Sequence, residues 1–351
     1  MSWVTELARP EIVALKAYEH AAWEPQLERL HANELPWRAS GDESLAGLNR
    51  YPEPQPRALI ERLAALYGAA PESILAGRGS DEAIDLLVRA FCRAGRDAVL
   101  VCPPTFAMYA VAARIQGAHV ATVPLRAAAG FALDERAVVE SCTADVKLVF
   151  LCSPNNPTGN LLDEQTIVRI AGKLAGRALL VVDEAYLEFA NTQSLARHLA
   201  KLPHLAILRT LSKAHGLAGA RCGTLIAAPE VIALLRKVMP PYAIGQLTLE
   251  AVLNLLAPAR LADASKRIAL IRAERERLTA ALAALPQVVR VWPSAANFVL
   301  SEFTDAGAAL QRARDARLLV RDARGYPGLE RALRITIGSI EQNDRLLEAW
   351  R

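Results

Sequence analysis

The stretch VKLVFLCSPNNPTG (146–159) joins a mostly apolar run of seven residues to a turn rich in Asn, Pro and Gly. The stretches ALLVVDEAY (178–186) and LAILRTLSKAHG (205–216) repeat this arrangement, with polar side chains directly after an apolar, β-rich run. Such runs, separated by helical stretches such as 164–174, are typical of parallel strands covered by helices on both faces. The sequence therefore predicts an α/β large domain.

The same alternation extends outward from this stretch. We predict helices at 57–67 and 81–93, and strands at 98–102, 119–125 and 223–227. After Pro240 and Pro241 the pattern changes to long Ala- and Leu-rich helical stretches over 246–285. Short strands at 288–291, 298–300, 318–320 and 333–337, with helices near 306–316 and 341–350, then predict a smaller α+β domain.

This pattern divides the chain into three predicted parts. They are an N-terminal segment (1–40) that joins the small domain, a large domain (41–243) and a small C-terminal domain (244–351). A length of 351 residues suits about two domains. We expect them to pack together with a cleft between them.

Composition argues against several classes of protein. Hydrophobic residues make up 52% and charged residues 22%, which excludes a disordered or fibrous chain. The net charge of +4 is diluted over the surface, and the basic stretch 312–324 is interrupted by Asp315 and Asp322. It carries no aromatic residues, so it indicates a solvated helix face, and we expect no nucleic-acid partner.

The cysteines and the N-terminus indicate a cytoplasmic protein. The five cysteines form no CxxC pair, which predicts buried, reduced thiols and no metal site. Charged residues interrupt the N-terminal apolar residues, so we expect no secretory signal. The uncharged run 98–113 is broken by Pro103 and Pro104, which argues against a membrane span.

Chemically active side chains follow three predicted strands. Asn156 lies in the first turn, Asp183 and Tyr186 follow the second strand, and Lys213 and Arg221 follow the third. Each has a plain structural alternative: a double turn for SPNNPTG, a helix cap or metal ligand for Asp183, and a solvated surface position for Lys213. Because open α/β sheets bind ligands at the carboxyl ends of their strands, together these side chains predict one site.

With these motifs the chain resembles the fold-type I aminotransferases that use pyridoxal phosphate (PLP), over nearly its whole length. The resemblance implies a large domain with a mostly parallel seven-stranded sheet plus a smaller α+β domain. It implies that Lys213 bonds the PLP aldehyde and moves the substrate proton, and that Asp183 keeps the ring nitrogen protonated. Asn156 and Tyr186 would then hydrogen-bond the phenolic oxygen of the ring.

GRGSDEAIDLL (77–87) is a Gly-rich turn that enters a helix, where free N–H groups favour an anion. Ser80 has the alternative role of a helix N-cap. The resemblance places Ser80 and Asp81 at the PLP phosphate, and it implies that Thr210, Ser212 and Arg221 complete the phosphate site.

Tyr109, in PPTFAMY (103–109), is the candidate for stacking on the PLP ring. A core position is its alternative, and Phe106 is then the other candidate for stacking.

Further motifs resemble the histidinol-phosphate aminotransferase family: HANELP (31–36), LNRYPEPQP (48–56) and LRITIGS (333–339). The resemblance implies transamination of L-histidinol phosphate with 2-oxoglutarate, which gives imidazole acetol phosphate and L-glutamate. Arg334 stands in an otherwise apolar strand, where a guanidinium needs an anion unless it faces water at a sheet edge. Arg321, Tyr18 and Asn33 are further candidates for substrate binding, with helix packing as the alternative for Tyr18.

The resemblance also implies a homodimer with shared active sites. Tyr51 lies in a Pro-rich, extended loop, and the equivalent tyrosine of the family reaches the PLP phosphate of the partner. Two residues depart from the family pattern, Phe106 and His215. His215 allows a local pH dependence, with a hydrogen-bonded supporting histidine as the alternative.

Other enzymes share these motifs. An aromatic aminotransferase and a threonine-phosphate decarboxylase remain alternatives on the same scaffold. A PLP-sensing regulator without catalytic activity is a more remote one.

Overall fold

The computed structural model describes residues 2–20, 23–24 and 26–351. Its α-helices are α1 (Trp3–Glu6), α2 (Pro10–Ala14), α3 (Arg57–Tyr67), α4 (Ser80–Phe91), α5 (Met108–Gln116), α6 (Glu135–Ser141), α7 (Glu164–Leu174), α8 (Pro229–Val238), α9 (Gln246–Leu255), α10 (Pro258–Ala283), α11 (Ala306–Asp315) and α12 (Ile340–Trp350). Its strands are β1 (Ile74–Gly77), β2 (Ala98–Val101), β3 (His119–Thr122), β4 (Val146–Cys152), β5 (Leu179–Asp183), β6 (Leu205–Thr210), β7 (Gly223–Ala227), β8 (Val288–Val291), β9 (Phe298–Phe303), β10 (Arg321–Asp322) and β11 (Ala332–Thr336).

The large sheet has seven strands in the order β1-β7-β6-β5-β4-β2-β3. Only β7 runs antiparallel to its neighbours within this sheet, so the predicted mostly parallel, seven-stranded α/β sheet is confirmed. Strands β1, β2, β5, β6 and β7 are buried along their whole length. Burial on both faces explains why they are continuous apolar runs.

Helices cover both faces of this sheet. Because successive strand residues point to opposite faces, Leu151 packs with Leu63 of α3 on one face, whereas Phe150 packs with Leu87 of α4 on the other. Helix α7 joins the first layer and α8 joins the second. Helix α7 begins at an Asp163 cap, whose side chain accepts a hydrogen bond from the Thr166 N–H. The sheet is thereby the middle layer of three.

A second, antiparallel sheet has the order β10-β11-β9-β8. Its core contains Leu278 of the long helix α10, Phe303, Ile335 and Trp350. The Trp350 indole N–H donates to the Ala309 carbonyl at 2.9 Å, which satisfies its only polar atom inside this core. This sheet with α10, α11 and α12 is the predicted smaller α+β unit.

Some elements differ from the prediction. The strand predicted at 318–320 is wrong, because backbone pairing begins only at Arg321, opposite Arg334. Leu318 and Val320 owe their apolar character to packing on the small core. Strand β1 and helix α5 were not predicted from the sequence pattern.

The N-terminal helices are also placed differently from the prediction for segment 1–40. Val4 and Ala8 are buried in the core that contains Leu235 of α8, so α1 packs on the large unit and not on the small one. Helix α9 likewise packs on α3 through Val252, although it lies after the predicted boundary at 243/244. The exact division of the chain into domains stays a prediction.

The five cysteines are free and buried. Within the described ranges, no group of three or more His, Cys, Asp or Glu side chains is placed to hold a metal ion. In that same part of the chain, every helix is too short or too polar to cross a membrane.

Candidate active site

One edge of the large sheet gathers the ends of five strands. The parallel strands β4, β5 and β6 end there at Cys152, Asp183 and Thr210. Because β7 is antiparallel, it begins at this edge with Gly223 opposite Thr210, and Gly77 at the end of β1 lies opposite Gly223. The topology therefore brings together the loops that sequence reasoning selected.

A cavity of about 440 Å³ opens at this edge, between the large sheet and the small unit. Most predicted site residues line it: Ser80, Asp81, Asn156, Asp183, Tyr186, Thr210, Ser212, Lys213, Arg221, Arg321 and Arg334. They come from both sheets, so the site depends on how the two sheets pack. This explains why no single motif contains it.

Asp183 forms a buried carboxylate in the cavity wall. Tyr109 donates a hydrogen bond to its Oδ2 at 2.7 Å, and the Ala185 N–H donates to its Oδ1 at 3.0 Å. Burial nevertheless raises the pKa of Asp183 to about 6, and the nearby negative charge of Asp81 acts in the same direction. Such a carboxylate favours a cationic or proton-donating partner in the cavity.

Tyr186, Asn156 and Arg334 form a hydrogen-bonded row. The Asn156 amide donates to the Tyr186 hydroxyl at 3.2 Å, and Arg334 donates to the Asn156 carbonyl oxygen. The Lys213 ammonium lies 5.8 Å from the centre of the Tyr186 ring. An amine, a phenol and an amide thus face the same space beside Asp183.

The turn before α4 is built for close approach to an anion. Gly79 has φ +88°, and a Cβ added there would lie 2.7 Å from the Arg221 guanidinium. Gly79 also occupies the N-cap position, so Ser80 is the first helical residue and the alternative role of Ser80 as an N-cap is wrong. The free N–H groups of α4 and the Arg221 charge therefore face the cavity together.

Arg221 adopts the left-handed conformation, with φ +52°. Its Nη2 contacts Asp81 at 3.3 Å and the Arg78 carbonyl at 3.4 Å, distances at the long end for hydrogen bonds. Half of the Arg221 side chain remains exposed. A third contact, from Nη1 to the Ala218 carbonyl, is also 3.4 Å long, so the protein holds the guanidinium only weakly and its exposed half can bind an anion.

Arg334 and Arg321 stand directly opposite each other in the β10–β11 pair. Arg334 is half-buried and faces the cavity, so its alternative placement toward water is wrong. Its Nε has no hydrogen-bond partner, and no carboxylate of the described residues forms an ion pair with it. Burial lowers the pKa of Arg334, which is the expected state of a guanidinium that lacks an anion.

The prediction that Tyr109 stacks on a ligand ring is not supported by its position. Tyr109 is fully buried, stacks on Phe150 at 4.8 Å and does not line the cavity. Helix α5 turns its phenol toward Asp183 instead. The alternative candidate, Phe106, lines the cavity.

Three other predicted residues lie outside this cavity. Tyr18 is 68% exposed and contacts His20, and Asn33 is exposed as well. The structure therefore does not bring Tyr18 and Asn33 to the site, and neither belongs to a helix or strand of the described residues. Tyr51 is half-exposed and stacks on Tyr242 at 4.5 Å.

A buried charge network supports the Lys213 turn. Arg209 pairs with Glu184 at 3.1 Å and with Glu188 at 2.8 Å. His215 Nε2 lies 3.7 Å from Glu188, and neither ring nitrogen has a hydrogen-bond partner, so the prediction of a hydrogen-bonded histidine is wrong. This network fixes the strand end that precedes Lys213.

Sequence reasoning missed Tyr326, which lines the cavity beside Arg321 and Arg334. It lies in the turn between β10 and β11, where Gly and Pro flank it. A single tyrosine in a turn carries no local chemical signal. Only the packing of the small sheet on the large one identifies it.

The sequence model of the protein family aminotransferase class I and II matches residues 30–349 of the chain. The chain is also 51% identical to the histidinol-phosphate aminotransferase of Stenotrophomonas maltophilia, over 99% of this chain and 96% of that protein. The chain belongs to the histidinol-phosphate aminotransferase family. Two solved structures share this fold over 86% of the chain. Histidinol-phosphate aminotransferase from Sinorhizobium meliloti, in complex with PLP, is 28% identical, with 82% of that chain covered and a TM-score of 0.75. L-threonine-O-3-phosphate decarboxylase from Porphyromonas gingivalis is 25% identical, with 90% of that chain covered and a TM-score of 0.73.

The cavity fits PLP, the cofactor of class I and II aminotransferases. The buried Asp183 carboxylate has no cationic hydrogen-bond partner of its own among the described residues. The Gly79 turn and Arg221 suit a phosphate, and Lys213 offers a primary amine. Each polar group of the cofactor therefore has a partner of complementary chemistry.

Proposed function

We propose that this histidinol-phosphate aminotransferase family member transfers the amino group of L-histidinol phosphate to 2-oxoglutarate. The products are imidazole acetol phosphate and L-glutamate, a step of histidine biosynthesis. The observation that carries the proposal is Arg334, a half-buried guanidinium without a carboxylate partner that shares one cavity with Lys213 and Asp183. Both substrates of the reaction carry an anion that such a group binds.

PLP supplies an electron sink that stabilises negative charge on a substrate carbon after its proton is lost. In the proposed site Asp183 holds the ring nitrogen, and Asn156 and Tyr186 hold the phenolic oxygen. Ser80, Asp81, Thr210, Ser212 and Arg221 surround the phosphate. The protein contributes orientation and fixed charge, because the side chains of Asp183, Asn156 and Tyr186 are already held in place by the hydrogen bonds described above.

Lys213 has two roles in this proposal. Its amine would hold the cofactor at the aldehyde carbon, and its Nζ would accept the proton of the substrate carbon. Its Nζ forms no ion pair with a carboxylate of the described residues and faces the cavity. The amine is therefore free to move between these positions.

Arg334 serves both half-reactions. Its guanidinium would bind the phosphate of histidinol phosphate and later a carboxylate of 2-oxoglutarate, since each anion offers two oxygens to the planar fork of N–H donors. Arg321, opposite it on β10, is more exposed and lies closer to solvent. One cationic end of the cavity thus serves two anions in turn.

We further propose that the active protein is a homodimer. Several large apolar side chains are exposed on the segment before α3, among them Leu30 (94%), Leu45 (84%) and Trp37 (76%). Exposed apolar surface of this density favours a covering partner. Tyr51, on the same segment, would reach the PLP phosphate of the second copy, and the free thiols suit a cytoplasmic location.

Single amino donors test the proposed reaction. The purified PLP enzyme is incubated without acceptor with stoichiometric histidinol phosphate, phenylalanine or threonine phosphate, and the products are quantified by mass spectrometry. We expect one equivalent of imidazole acetol phosphate per site and slow or no reaction of the others. Preferred turnover of phenylalanine, or release of carbon dioxide from threonine phosphate, would identify an alternative enzyme of the same scaffold, and DNA binding that depends on PLP would identify a regulator.

A further inference from the structure

Tyr326 is the side chain at the substrate end of the cavity that the proposed reaction has not yet used. Its turn is fixed by two backbone hydrogen bonds, from Tyr326 N–H to the Ala323 carbonyl at 3.1 Å and from Leu329 N–H to the Tyr326 carbonyl at 3.0 Å. The ring packs on the core that contains Ala323 and Leu329, and it lines the cavity. The phenol is therefore held in place.

The phenol also shares the cavity with the guanidinium that is proposed to bind the anion. Tyr326 and Arg334 both line it, and Tyr326 lies in the turn that joins the strands of Arg321 and Arg334. Burial lowers the pKa of Arg334, and the phenols of Tyr186 and Tyr326 act in the opposite direction. Tyr186 already accepts a hydrogen bond from Asn156. In the proposed site the Tyr186 hydroxyl also serves the phenolic oxygen of the cofactor. The structure shows no hydrogen-bond partner for the Tyr326 hydroxyl among the described residues, so this O–H is a donor to which the proposed reaction assigns no acceptor.

The two substrates differ in how many donors their anions need. A phosphate ester presents three terminal oxygens and carries more than one negative charge, whereas the carboxylate of glutamate that takes its place at Arg334 presents two oxygens and one charge. One N–H of Arg334 is already donated to Asn156. A carboxylate can be satisfied by the rest of the Arg334 guanidinium, but a phosphate needs a further donor.

We propose that Tyr326 is a specificity-determining residue whose O–H donates to the phosphate of the amino donor and contributes little to the carboxylate of glutamate. This inference rests on the proposed function and names the residue that lets one site accept both anions yet prefer the phosphate. Arg334 supplies the shared charge. Tyr326 supplies the donor that only the phosphate requires.

Tyr326→Phe removes the hydroxyl and keeps the ring that packs on the core. We expect the ratio of kcat/KM for histidinol phosphate to kcat/KM for glutamate to fall about tenfold, because a hydrogen bond to a charged group is lost. The loss should appear in KM for histidinol phosphate, with little change in kcat. An unchanged ratio would overturn the proposal.

Arg324→Ala is the matched control. Arg324 lies in the same turn, is exposed and pairs with Asp322 at 2.7 Å. It should leave the ratio unchanged. If Arg324→Ala lowered the ratio as much as Tyr326→Phe, the effect would come from a disturbed turn and the role of the hydroxyl would be refuted.

Calorimetry with inorganic phosphate separates this inference from the proposed reaction. Phosphate should bind the wild-type holoenzyme, and Tyr326→Phe should weaken that binding about tenfold while Arg324→Ala does not. A wild-type enzyme that binds phosphate in this way but does not use histidinol phosphate would refute the proposed function and support the phosphate contact. Equal phosphate affinity in wild type and Tyr326→Phe would overturn the contact, whatever the substrate is.

Discussion

The Tyr109 hydroxyl donates a 2.7 Å hydrogen bond to Asp183, although Tyr109 itself does not line the cavity. With the Ala185 N–H on the other oxygen, this bond fixes the carboxylate of Asp183 in one orientation. Two donors do not offset the cost of burial, since the pKa of Asp183 is raised to about 6. The carboxylate is therefore oriented by the protein, and in the proposed site the protonated ring nitrogen of the cofactor completes its hydrogen bonding.

Asp183 should contribute a loss of stability to the apoprotein as pH rises. Its pKa is raised from 3.8 to about 6 in the folded state, so the folded protein binds more protons between these values. The stabilisation is present below about pH 4 and is lost as pH rises through about 6, by about 3 kcal/mol at most. Asp183→Asn should remove this dependence. In urea unfolding, the free energy of unfolding of the apo variant should therefore rise relative to that of the wild type between pH 4 and pH 7. Asp315→Asn, an exposed carboxylate, is the control, and a pH-independent difference between Asp183→Asn and wild type would contradict the burial effect.

Gly79→Ala should weaken PLP binding. The new Cβ would lie 2.7 Å from Arg221 in a backbone with φ +88°, so both the turn and the guanidinium must shift. We expect the dissociation constant of PLP to rise about tenfold, as one charge-assisted contact is displaced. Gly172→Ala places a Cβ in open space on α7 and should leave the dissociation constant of PLP unchanged. Equal affinities of the two variants would show that the Gly79 turn does not hold the phosphate.

Arg334→Ala should raise KM for histidinol phosphate and for glutamate together, each by about tenfold or more, because one guanidinium serves both anions. Arg334→Lys should restore little, since a lysine cannot reproduce the planar fork. Arg331→Ala, an exposed arginine beside β11 that pairs with Glu302, is the control. Steady-state kinetics with each substrate checks this. If KM rose for only one substrate, the anion of the other would have to be bound by Arg321 or another residue.

Mixed dimers test whether two chains share each site. Inactive Tyr51→Ala and inactive Lys213→Ala subunits, unfolded and refolded together, should recover about a quarter of wild-type activity if subunits pair at random. Only the mixed dimer combines an intact Lys213 with a Tyr51 from the other chain. No recovery, with mixed dimers demonstrated by native mass spectrometry of tagged chains, would mean that each chain completes its own site.

The buried strands could be predicted from the sequence because their environment is nearly uniform. Strands β4 and β7 lie at the predicted residues, since both faces of each strand need apolar side chains. Strand β10 could not be predicted, because two residues of exposed backbone leave no periodic pattern. The packing of α1 on α8 depends on a surface formed far away in sequence, so the local pattern could not indicate it.

The site was predictable where one strand end carries the chemistry, as at Asp183 and Lys213. Arg334 was predictable for a different reason, because a guanidinium in an apolar strand conflicts with its surroundings. Tyr109 was expected to face a ligand ring, since the motif PPTFAMY alone does not show that its phenol points to the carboxylate behind the cavity. Tyr326 was missed because its turn reaches the cavity only through the packing of the two sheets.

The most direct measurement is the mapping of the lysine that carries PLP. Borohydride reduction of the purified PLP enzyme should fix one cofactor per chain, and peptide mass spectrometry should locate it on Lys213. Lys213→Ala should retain no covalent cofactor after the same treatment, while Lys147→Ala, at a lysine remote from the cavity, should be labelled like the wild type. Label on another lysine, or full labelling of Lys213→Ala, would contradict the assignment of this cavity as the active site.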